Sequence, residues 1–109
     1  MLANKVPSTI VGNCSFIRLS RHKAAIVDTN LLPDLKKYSW SAVKSAGCWY
    51  ALRRYRKDGK MITVRMHRHI AQTQTGMVCH HINGNSLDNR QCNLLNMTEY
   101  WHIKLYSWR

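Results

Sequence analysis

Residues 49–67 read WYALRRYRKDGKMITVRMH, and the Lys57-Asp58-Gly59-Lys60 step in the middle is a turn. Asp-Gly between two segments rich in aromatic and β-branched residues is a strong hairpin signal, so this stretch commits the chain to antiparallel sheet. In its second half Ile62, Val64 and Met66 alternate with Met61, Thr63, Arg65 and His67. One face is apolar and the other can meet solvent or a ligand. The first half is less decided: Tyr50 and Leu52 share a face with Arg54 and Arg56, while Ala51 and Tyr55 share the other with Arg53 and Lys57. Either face can be the core.

The flanking sequence extends this pattern. YSWSAVKS, separated by the Ala46-Gly47 step, supplies a further strand. Upstream, CSFIRLS and KAAIVD are short strand candidates around the basic turn RHK, and TNLLPDLKKYS suits a short helix with Thr29 or Asn30 as cap and Pro33 early. Downstream, HRHIAQTQTG reads as a short helix ending near Gly76, and Thr98 as the N-cap of a helix EYWHIKLYSW with Trp101 and Leu105, or Ile103 and Tyr106, packed inward. The expected organisation is α+β: a flexible lead-in over 1–14, an antiparallel β module over 15–66, and a second unit over 67–109.

Charge narrows the partner. Seventeen Lys and Arg against five Asp and Glu give a formal net charge of +12 in 109 residues, and such a surface gains affinity for polyanions by releasing their counterions. No apolar stretch approaches the roughly 20 residues needed to cross a bilayer, which favours nucleic acid over lipid. The four cysteines are scattered without a C-x-x-C pair, which argues against a structural zinc finger. With no secretion signal at the start, the chain is expected in the cytoplasm with reduced thiols.

Chemistry concentrates in VCHHINGNSLDNRQCNL, residues 78–94. If Val78 to His81 form a strand, His80 and His81 point to opposite sides and take different jobs. One can ligate a metal ion and the other can deprotonate water, since imidazole titrates near neutral pH. His102, early in the terminal helix, is the candidate for a second ligand. Each part has an ordinary counterpart: Asn83-Gly84 and Asn93 as turn residues, and Arg53, Arg54, Arg56 and Lys57 as the solvated face of an edge strand.

The combination is more specific than its parts. MHRHI, followed by GMVCHHINGNSLDNRQCNLLNMTEYWH, resembles the HNH endonuclease family, in particular phage and intron-encoded homing endonucleases, over residues 66–102. Upstream, YSWSAV and WYALRRYRKDGKMITVRMHR resemble the small three-stranded module that precedes the nuclease motif in many such phage proteins. The resemblance implies a small N-terminal three-stranded antiparallel sheet followed by a ββα-metal motif that clasps one divalent cation. It implies His81 as general base, Asn93 as the residue that pins the loop around it, and His80 and His102 as metal ligands. The implied partner is double-stranded DNA, held by Arg53, Arg54, Arg56, Lys57, Arg65, Arg68 and Arg90, with no small-molecule cofactor. Magnesium or manganese is the expected metal, and zinc or nickel can occupy such a site.

The implied reaction is phosphodiester hydrolysis leaving a 5′-phosphate and a 3′-hydroxyl. A monomer would nick, whereas a homodimer could cut both strands. Leu95 stands where the family usually has Arg, and the DNA-binding helices that often follow the motif are not expected before Arg109, so long target recognition is not expected. The alternatives are a DNA-binding module with a vestigial nuclease site and a basic structural or RNA-associated protein. Activity inside the host cell of a phage or mobile element fits the cytoplasmic expectation.

Overall fold

The computed structural model describes residues 13–107. In chain order they form strands β1 (Cys14–Arg18) and β2 (Ala24–Asp28), helix α1 (Leu32–Leu35), strands β3 (Ser41–Ser45), β4 (Cys48–Lys57) and β5 (Lys60–Arg65), helix α2 (Met66–Ala71), strands β6 (Met77–His81) and β7 (Leu94–Thr98), and helix α3 (Glu99–Ser107). This is a mixed α+β arrangement of three small antiparallel sheets, β1-β2, β3-β4-β5 and β6-β7. Apart from Asn13 and Cys14, the lead-in read over 1–14 lies outside the described residues, and Cys14 already belongs to β1.

Both turns of the central sheet form where glycine permits them. Asp58 and Gly59 sit at φ 53° and 77°, and Ala46 and Gly47 at 51° and 83°, the paired positive-φ conformation whose twist matches a two-residue hairpin. Lys57 therefore faces Lys60, and Ser45 faces Cys48. The single three-stranded sheet expected ahead of the histidine segment is one of two: the β1-β2 hairpin forms a separate sheet before it. It turns at Arg21 and His22, both at positive φ, and Ala42 N donates to Ser20 Oγ to tie it to β3 at 2.9 Å.

The core lies between the β1-β2 hairpin, α1 and one face of the central sheet. Ala25, Val27, Leu35, Trp40, Ala42, Ala51 and Met66 are buried there, and each large side chain so enclosed contributes about 1.5–3 kcal/mol. Trp40 keeps its indole satisfied by donating to Leu35 O at 2.9 Å. The two-sided choice in β4 is resolved in an unexpected way, because consecutive Ala51 and Leu52 are both buried. Ala51 faces the core, so by strand alternation Leu52 must be covered on the other side. Met66, the first residue of α2, is fully buried in this core and Leu87 packs on it, so the boundary read between residues 66 and 67 runs through shared packing.

Three local expectations are corrected. Helix α2 stops at Ala71 rather than near Gly76, with Gln72 in the left-handed region. Asn96 Nδ2 donates to the Ala71 carbonyl and so meets a polar group at the helix end, while Arg68 donates to Gln74 O and Met77 O and so holds the segment that leads into β6. Helix α1 has no side-chain cap, because Thr29 and Asn30 fall in a preceding 3-10 turn and the residue at the cap position is Leu31; the Thr29 hydroxyl bonds that of Ser15. In α3, Thr98 Oγ1 accepts from Trp101 N as expected of an N-cap, but Trp101 and Ile103 face outward, each about 60% exposed (61% and 59%). The side chains of Leu105 and Tyr106 lie outside the described ones. No helix among the described residues is long and apolar enough to cross a membrane.

Candidate functional site

Strands β6 and β7 are joined by the loop 82–93, and their register sets His80 against Leu95 and His81 against Leu94. The loop is held from inside by Asn93, which is buried. Its Oδ1 accepts from Asn83 N and its Nδ2 donates to Asp88 O, both at 2.8 Å, while its carbonyl accepts from Ile82 N. Asp88 is a second anchor, 2% exposed. It accepts from Asn83 Nδ2 and from both Nε and Nη2 of Arg90. Burial opposes the charge on Asp88, but these donors outweigh it and hold the carboxyl below the usual carboxylate range.

The loop is also tied to distant strands. Ile26 N donates to Leu87 O and Asn89 N donates to Ile26 O, at 2.8 and 2.7 Å, a short parallel bridge to β2. Gln91 N donates to Asp28 Oδ2, and Ser86 Oγ donates to Trp49 O. The polar residues of the loop therefore fix its shape, as backbone groups enclosed in a fold require.

The two adjacent histidines part company. His81 Nε2 meets Asn89 Oδ1 at 2.8 Å, and the His81 ring centre is 4.8 Å from that of His67 on α2 and 6.4 Å from that of Tyr50 on β4. Burial lowers the pKa of His81, with the Asn89 hydrogen bond and the Asp88 charge acting in the opposite direction. Burial, then the neighbouring His81, Arg65 and Arg68, push His67 down to about 3, so His67 stays neutral. His80 turns instead toward His102 on α3, ring centres 5.4 Å apart and edge to face. All four histidines line one cleft of about 340 Å³, with Tyr50 and Arg65 on its sheet side.

The His80 and His102 pair fits a shared cation by its donor chemistry and its spacing. Two imidazoles on one metal ion, with bonds of about 2.1 Å at a near-tetrahedral angle, have ring centres roughly 5 Å apart. No group of three or more His, Cys, Asp or Glu side chains is gathered around a common point among the described residues. Two protein donors would leave the remaining positions of a cation to water and phosphate oxygen.

The basic residues separate by face. Arg54, Arg56 and Arg65 alternate in register with Tyr50 and Leu52 and so share the cleft side of the central sheet. Arg54 and Arg65 line a second groove of about 660 Å³, and Arg65 and Arg68 line both it and the histidine cleft. Arg53 and Lys57 fall on the opposite face. Arg53 lies over the Tyr38 ring at 3.9 Å, with Tyr55 and Trp40 nearby. The Arg90 guanidinium is committed to Asp88.

Three residues at the site were not singled out as functional from the sequence: His67, Tyr50 and Asn89. His67 sits in a strand-like alternation that hides its place at the start of a helix. Asn89 carries no local signal that separates it from the other polar residues of the loop. No family model matches the chain, and no curated protein or solved structure is detectably similar to it.

Proposed function

We propose that this chain is a metal-dependent DNA endonuclease of the HNH, ββα-metal type, which hydrolyses a phosphodiester and leaves a 5′-phosphate and a 3′-hydroxyl. The observation that carries the reading is the division of labour in one cleft: His81 is held by Asn89, while His80 and His102 pair 5.4 Å apart beside it. The strand-loop-strand-helix run from β6 to α3, with Asn93 buried between the strands, supports the motif assignment.

His80 and His102 would hold the divalent cation, magnesium or manganese by the needs of phosphate chemistry, which supplies positive charge to the phosphate and to the departing oxygen. His81 would act as general base, taking a proton from the attacking water. Its lowered pKa keeps the ring neutral, and therefore competent as a base, at neutral pH. Asn93 and the Asp88 to Arg90 pair hold the loop that carries this geometry. Arg54, Arg56, Arg65 and Arg68 would position the DNA backbone along the cleft side of the sheet; such contacts set register without reading sequence.

Conversion of supercoiled plasmid to open circle tests the reading. Nicking is expected with magnesium or manganese, is abolished by excess chelator, and is lost in His81→Ala with DNA binding retained. Binding without nicking in either metal would instead identify a DNA-binding module.

A further inference from the structure

We infer that Asn89 is the positioning residue for His81: it fixes the hydrogen on Nε2 of the imidazole and leaves Nδ1 as the basic nitrogen. The inference rests on the nuclease reading for its kinetic consequence but not for its structural one. An amide oxygen can only accept a hydrogen bond, so the ring nitrogen 2.8 Å from Asn89 Oδ1 must be the donor. A neutral imidazole then has one lone pair left, on Nδ1.

Asn89 is built for this role rather than for packing. It is 1% exposed, yet its Nδ2 has no hydrogen-bond partner among the described residues. A buried donor left without a partner is destabilising, a cost that an apolar side chain of similar shape would not carry. Its backbone is fixed as well, because Asn89 N donates to Ile26 O on β2 at 2.7 Å. The β1-β2 hairpin is therefore linked to His81 through Asn89: β2 holds the Asn89 backbone, and the Asn89 side chain holds His81. The Asp28 carboxylate, receiving Gln91 N two residues further on, reinforces the same attachment.

The test uses the full chain labelled with ¹⁵N-histidine, in metal-free buffer at mildly alkaline pH, with long-range proton–nitrogen correlation spectra. His81 is expected as the Nε2–H tautomer. In Asn89→Leu, which keeps the bulk and removes the acceptor, it should become a mixture of tautomers. For nicking, Asn89→Leu should lose about 10- to 100-fold in kcat with KM for plasmid nearly unchanged. Asn89→Asp, which keeps the acceptor, should restore the Nε2–H tautomer and most of kcat. An Nδ1–H tautomer in the wild type, or full kcat in Asn89→Leu, would overturn the assignment. If the wild-type protein fails to nick in any metal, the nuclease reading falls, and the ring-nitrogen spectra alone decide the role of Asn89.

Discussion

The ring centres of His80 and His102 lie 5.4 Å apart although one residue comes from strand β6 and the other from helix α3. The turn between β7 and α3, capped by Thr98, folds the helix back onto the sheet so that both imidazoles reach the same cleft. If they hold one cation, removing either leaves a single protein donor. His102→Ala should raise the metal concentration for half-maximal nicking by about 10- to 100-fold, with little change in DNA binding measured in chelator. A metal requirement unchanged in His102→Ala would show that the pair is not a ligand set.

Asn93 serves the site through the loop rather than by contact with substrate. Replacing it with alanine leaves Asn83 N and Asp88 O without their partners in the interior of the loop. Each buried polar group so orphaned costs about 1–3 kcal/mol, so Asn93→Ala should lower stability by about 2–4 kcal/mol in a denaturant titration. Activity should fall further than binding, since His81 would no longer be held.

Much of this was readable before the fold, but only where the signal was local. The Asp58-Gly59 hairpin, the strand carrying His80 and His81, and the Thr98 cap depend on residues within a few positions of one another, and all three form. The pairing of His81 with Asn89 depends on how the loop closes, and that closure is set by β2, far upstream. Burial of His67 has the same origin: its neighbours Tyr50 and His81 come from other sheets. The apolar residues of α3 misled for a different reason. Helical spacing offers Trp101 with Leu105, or Ile103 with Tyr106, as the packed side, whereas Trp101 and Ile103 are both exposed and the side of the helix that meets the sheet carries His102.

Three groups should make the protein acid-sensitive, the buried His67 and His81 in one pH range and Asp88 in a lower one. His67 has its pKa pushed down to about 3 in the fold against about 6.5 unfolded. Below pH 6.5 the unfolded chain binds a proton that the folded one refuses, so stability falls as pH drops from about 6.5 toward 3, by something on the order of a few kcal/mol. The groups facing His67 are His81, Arg65 and Arg68 together with the Tyr50 ring; the positive charge of the two arginines, and of His81 once it is protonated, adds to the effect. Asp88, whose pKa is depressed, contributes stability that is present above its unfolded value near 4 and is lost as pH falls further. Thermal melts against pH should therefore decline in both ranges. His67→Phe should reduce the upper one to the part that His81 contributes and leave the lower one, whereas Asp88→Asn should remove the lower one and weaken the loop at all pH values.

The division of the arginines between two sheet faces predicts which of them touch DNA. Arg54, Arg56 and Arg65 share the face of Tyr50, while Arg53 and Lys57 share that of the core. A phosphate contact contributes to the slope of log affinity against log salt by roughly one unit. Arg54→Ala, Arg56→Ala and Arg65→Ala should each weaken plasmid-fragment binding and flatten that slope by about one. Lys57→Ala should leave the slope unchanged. Arg53→Ala should act on folding instead, because its guanidinium covers Tyr38 and loses a cation–aromatic contact of about 0.5–2 kcal/mol when truncated. A salt slope that drops for Lys57→Ala and Arg53→Ala but not for Arg54→Ala or Arg56→Ala would put the nucleic acid on the wrong side of the sheet for the His81 cleft, and would separate DNA binding from the candidate site altogether.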